Sequence, residues 1–103
     1  MKLLRFAMMD ANKTAEVAKA ADKVAASLPP GIKISASYAC QGIAFPGVPA
    51  QTLVVVQVVE AESNEAIAAS TWPLELAGAT IWDVPVLELP VAGAAEVEKK
   101  MRG

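Results

Sequence analysis

From Leu53 to Val59 the chain reads LVVVQVV, and only Gln57 interrupts the apolar run. A strand with one wet face alternates apolar and polar residues, so a run of valines belongs to a strand covered on both sides. Side chains of a strand point alternately to its two faces. Leu53, Val55, Gln57 and Val59 therefore share one face of 52–61, and Thr52, Val54, Val56 and Val58 share the other. One set has a partner layer in any two-layer fold; the second set needs another.

The rest of the pattern divides into short elements. Residues 2–9, KLLRFAMM, read as an opening strand. The period then changes: Val17, Ala21, Val24 and Leu28 recur at helical spacing with Glu16, Lys19 and Lys23 opposite, an amphipathic helix that Asp10 or Asn12 can cap and that PPG at 29–31 stops. IKISASYACQG is a strand with Ile32, Ile34, Ala36, Tyr38 and Cys40 on one side. IAFPGVPAQ, with two prolines and a glycine, is a loop, apolar enough to pack on something. After the valine strand, Ser63 is the expected cap of a short helix; Pro73 ends it or starts a second one, closed by Gly78. ATIWDVPVLELP is the last strand, with Pro85 indicating an edge or a bulge, and GAAEVEKKMRG adds a turn or two of helix.

This order, β-α-β-β-α-β, is that of the α+β ferredoxin-like fold, a four-stranded antiparallel sheet with both helices on one face. The expected organisation is a single domain over 1–103 with 93–103 as a C-terminal tail. The sheet's other face is left bare, and an exposed row of valines forfeits roughly 1.5–3 kcal/mol per residue relative to full burial. Pairing of two such faces in a homodimer removes that loss, with Val54, Val56, Val58 and the loop residue Phe45 as the expected interface.

The βαββαβ order, the strand-to-helix passage VVEAESNEAIAA, the tryptophan at Trp72 and a last strand carrying VPVLEL resemble the dimeric α/β-barrel superfamily. More narrowly they are similar to a group of short prokaryotic proteins in it that carry no assigned role. The resemblance implies two sheets paired face to face as a dimeric α/β barrel. Relatives include cofactor-free monooxygenases of polyketide tailoring, haem-degrading enzymes, muconolactone isomerase-like proteins and stress-responsive barrels. Many of the haem enzymes use an axial histidine, and this chain has none.

Composition narrows the partners. In 103 residues, 54% are apolar, and the mean hydropathy is +0.40. A chain this short buries only roughly two-thirds of its unfolded surface by itself, so the excess again points to association. No apolar run approaches the roughly 18–20 residues of a membrane-spanning helix, and Arg5 with Asp10 breaks any secretory signal, so the cytoplasm is the expected compartment and a membrane is not an expected partner. A net charge of −2 supplies no basic field for nucleic acid.

Candidate chemistry is sparse. Without histidine the commonest general base near neutral pH is missing, and the one thiol, Cys40, has no such partner to activate it. It also supplies no metal-site spacing, and neither GxGxxG nor GxxxxGK is present, so no metal or other cofactor is expected. Arg5 and Asp83 are charges inside strands, which calls for a salt bridge, a polar pocket wall or an edge position. With Tyr38, Trp72 and Trp82, which suit either core packing or a flat organic ligand, they form the set of ligand-pocket candidates. The expected function is a non-catalytic small-molecule-binding or structural module with a small hydrophobic ligand. The alternative is a cofactor-free enzyme, monooxygenase- or isomerase-like, acting on a hydrophobic aromatic substrate.

Overall fold

The computed structural model describes residues 1–89 and 93–103. Strand β1 (Lys2–Asp10) leads through a 3₁₀ turn, Ala11–Lys13, into helix α1 (Thr14–Ala26). Strands β2 (Ile32–Ala39) and β3 (Thr52–Ala61) follow, then helix α2 (Asn64–Leu76), strand β4 (Thr80–Pro85) and helix α3 (Ala94–Arg102). The architecture is α+β: one four-stranded antiparallel sheet in the order β2-β3-β1-β4, and three helices.

Alternation along β1 decides which face carries the core. Leu3, Arg5, Ala7 and Met9 are buried, and the residues between them are only half-buried. The buried face carries two apolar clusters. Leu3, Ile32, Val59 and Ala61 pack with Ala66 of α2 at one end, and Ala7 and Met9 pack with Val17 of α1 and Ala79 at the other. Both α1 and α2 thus cover one face of the sheet. The described residues of α3 are all exposed apart from Ala94, whose side chain is not described, and they include Val97 and Met101.

Local signals set several boundaries. Ser63 caps α2 as expected, its Oγ accepting the Ala66 N–H at 3.1 Å. Gly78, at φ +117°, closes that helix: its N–H donates to Glu75 O, and Ala79 N–H reaches back to Leu74 O. The start of α1, by contrast, has no side-chain cap from Asp10 or Asn12; Lys13 stands at its N-cap and the 3₁₀ turn takes up the approach instead.

Four features differ from the pattern. Pro73 neither ends nor restarts α2, which runs through it to Leu76. The ring removes one backbone donor, but Ser70 and Thr71 hydroxyls donate to Ile67 O in the preceding turn and both residues are buried, so packing holds the helix together. Strand β2 is not one continuous alternation. A register shift between Ile34 and Ala36 leaves Ile32 and Ile34 opposite Ala61 and Val59, and turns Ala36 and Tyr38 to the other face, opposite Val58 and Val56. The last strand stops at Pro85 on the sheet edge, with Val86 N–H adding one bond to Lys2 O; Pro90, its expected end, lies outside the described residues. The tail, finally, forms a full helix, α3, rather than one or two turns.

Candidate functional site

Three apolar strands each carry one polar intruder on the helix-covered face, and the register aligns all three. Arg5 of β1 lies opposite Gln57 of β3 on one side and Asp83 of β4 on the other, and Ser37 of β2 lies opposite Gln57. Ser37, Gln57, Arg5 and Asp83 thus form a polar rung across all four strands. It runs between the two apolar clusters and separates them.

The centre of the rung is a bidentate ion pair. Arg5 Nε donates to Asp83 Oδ1 at 2.8 Å and Nη2 donates to Asp83 Oδ2 at 3.0 Å. This parallel fork is the geometry that planar guanidinium and carboxylate groups share. Arg5 is 2% exposed, so its charge needs the pairing. Nη2 also donates to Ser70 Oγ of α2 at 3.0 Å, and the Ser70 O–H donates in turn to Ile67 O at 2.8 Å. At the other end Gln57 Nε2 donates to Ser37 Oγ at 3.2 Å.

Two groups in the rung keep free capacity. Guanidinium carries five N–H donors, and those on Nη1 meet no acceptor among the described residues. The side-chain oxygen of Gln57 likewise accepts from no described residue. Both side chains line a cleft between the helices and the sheet, formed by adjoining cavities of about 250 and 400 Å³. The two cavities share Arg5, Ala21, Asp22, Ser37, Gln57 and Leu74. The smaller one continues between Val17, Val55 and Ile81, and Thr14 also lines it; the Thr14 hydroxyl oxygen is buried without a hydrogen-bond partner among the described residues.

Of the sequence candidates, Arg5 and Asp83 come together, as a salt bridge, and Arg5 also forms the pocket wall. Tyr38 and Trp82 lie on the opposite, open face, in the rung Tyr38–Val56–Phe6–Trp82 one residue along. Trp72 sits on the outside of α2, 65% exposed. The loop residue Phe45 packs its ring edge-on to Phe6, centroids 6.3 Å apart, over that same open face. Val56 and Val58 are half-buried there, whereas Val54 is already buried within the chain at 2% exposure. Gln57, Ser37 and Ser70 were not among the candidates. Gln57 had a signal, as the one break in the valine run, but its partners depend on register.

Among the described residues no three acidic, histidine or cysteine side chains gather as metal ligands, and no helix is long and apolar enough to cross a membrane. No family model matches the chain, and no curated protein sequence does. Among solved structures it is similar to a DUF3240 family protein from Shewanella baltica OS155, at 10% identity and a TM-score of 0.48, over 87% of this chain and 94% of that one.

Proposed function

We propose that this chain is a non-catalytic small-molecule-binding module whose ligand sits in the cleft over the Ser37–Gln57–Arg5–Asp83 rung. The observation that carries this reading is a buried arginine with hydrogen-bonding capacity left over, on the wall of a partly apolar cleft. A core held for stability alone is filled, and its polar groups are fully bonded. A few convergent polar groups among apolar walls are instead what a binding site provides. Binding is favoured over the enzyme alternative by the placement of side chains. The sole cysteine, whose backbone N–H donates to Val54 O just past β2, does not line the cleft, and the aromatic candidates lie away from it.

The same reading takes residues 1–103 as one ferredoxin-like domain that pairs with a second copy through the open face, as in the dimeric α/β-barrel superfamily. The order β2-β3-β1-β4 with α1 and α2 on one face supports the first part. For the second, four strands about 4.8 Å apart and about 20 Å long present on the order of 400 Å² in projection. Side-chain relief and the loop of Phe45 bring that toward the roughly 800 Å² per partner of a standard interface. Tyr38, Trp82 and Val84 are exposed on this face, and aromatic residues of that kind are enriched in interfaces. Lys33 and Glu60, 3.9 Å apart at one end of it, supply both signs of charge, which a two-fold contact can match.

Binding is tested by a ligand-observed NMR screen of small fragments against the wild-type chain and Ala21→Leu, which fills the cleft shared by both cavities. Fragments that bind the wild type and shift the amides of Ala21, Gln57 and Leu74, and that lose binding in the variant, are expected. A screen with no such fragment removes the reading.

A further inference from the structure

We infer that the cleft selects a neutral ligand with an amide-like head, one that carries a carbonyl acceptor and an N–H donor together, over a carboxylate of the same shape. The inference rests on the cleft being a binding site and concerns what that site discriminates.

The first ground is charge. An arginine in a pocket ordinarily suggests an anionic ligand, but this guanidinium already holds both carboxylate oxygens of Asp83 at 2.8 and 3.0 Å. Its charge is matched before any ligand arrives. A second carboxylate, Asp22 on α1, lines both cavities and is exposed to solvent. The site therefore carries one more negative charge than positive. Lys19 and Lys23 line a separate groove between the two helices and neither lines this cleft. An incoming carboxylate would lose its hydration and meet no unpaired cation.

The second ground is the sense of the free hydrogen-bonding groups. Arg5 Nη1 offers donors only, and Gln57, with one of its two amide N–H groups on Ser37 Oγ, offers its oxygen as an acceptor and its second N–H as a donor. These two side chains are direct register neighbours on adjacent strands, the spacing at which cross-strand side chains meet. An amide head satisfies both: its carbonyl accepts from Arg5 and its N–H donates to Gln57. A carboxylate accepts from Arg5 and from the second Gln57 N–H but brings no donor for the Gln57 oxygen, which stays unmatched.

The third ground is size and lining. The smaller cavity, about 250 Å³, continues from the rung between Val17, Val55, Leu74 and Ile81. That volume suits an apolar body on the order of ten non-hydrogen atoms.

Benzamide and benzoate are matched in shape and differ in charge and in the donor. Titration of each into the ¹⁵N-labelled full chain, followed by two-dimensional NMR, is expected to shift the amides of Ala21, Gln57 and Leu74 with benzamide. Benzamide should bind tighter than benzoate by about tenfold, the equivalent of one mismatched hydrogen bond. In Asp22→Asn, on the exposed side of α1, benzoate should gain and the ratio should narrow. Benzoate binding as tightly as benzamide in the wild type overturns the inference. So does the absence of both at a cleft that other fragments occupy. Failure of every fragment at the cleft overturns the binding reading itself and this inference with it.

Discussion

Two consecutive rungs of one sheet, a single residue apart, differ in almost every respect. Ser37–Gln57–Arg5–Asp83 faces the helices, is polar throughout and is bonded to itself and to Ser70. Tyr38–Val56–Phe6–Trp82 faces away from them, has no charge and carries the edge-on contact of Phe6 with the loop ring of Phe45. The usual distribution would be the reverse, with polar residues outside and apolar residues under the helices. The departure is sharpest at the Arg5–Asp83 end of the polar rung, where Arg5 is buried; at the other end Gln57 is half-buried and Ser37 exposed. The covered part of the polar row holds bonding groups in fixed geometry, and an apolar row on an open layer is a surface that excludes water once something covers it.

The largest effect should come from dividing the ion pair. Asp83→Ala leaves the Arg5 charge buried without its partner, and a loss of about 3–5 kcal/mol in a urea unfolding curve is expected. The double change Arg5→Met with Asp83→Leu should recover most of it, because an apolar pair of similar volume avoids desolvating two charges. A single-variant loss well under 1 kcal/mol would mean that the rung does not hold the two halves of the core together.

Next in size is the open rung. Val56→Asp places a carboxylate at its centre, and light scattering across a dilution series is expected to give the mass of two chains for the parent and of one for the variant. A folded variant with unchanged mass would move the interface elsewhere. Phe45→Ala removes the edge-on contact with Phe6 and should lower stability by about 0.5–1.5 kcal/mol, read from the thermal midpoint. A larger loss would show that the loop, rather than a second copy, is the main cover of this face. Lys19→Ala, exposed in the groove between α1 and α2, should change neither mass nor stability by a measurable amount, and any change in mass would point to a helix-side contact.

Much of the architecture is legible one element at a time. Strand alternation, the helical spacing of Val17, Ala21 and Val24, the Ser63 cap and the Gly78 closure all arise from residues within a turn or two of each other. Even the apolar loop that holds Phe45 is recognisable as a segment that packs. The exceptions have a common cause. Pro73 predicts a break where burial of Ser70 and Thr71 sustains the helix, and Ser35 gives no sign of the bulge that sends Tyr38 to the open face. A shift of one residue reverses every side chain that follows, so a reading without register misplaces all of them.

The candidate site divides in the same way. Arg5 and Asp83 stand out in the chain because a charge inside an apolar strand demands an explanation, and Gln57 stands out as the break in a valine run. What the sequence by itself determined is that β1, β3 and β4 each carry an intruder and roughly where it sits, because alternation and polarity act over neighbouring residues. That the intruders form one rung, with Arg5 and Asp83 78 positions apart in bidentate contact, was decided only in the folded sheet. Which residues meet across strands depends on strand order and register, and the long-range pairing that sets both leaves no trace in any short stretch of chain.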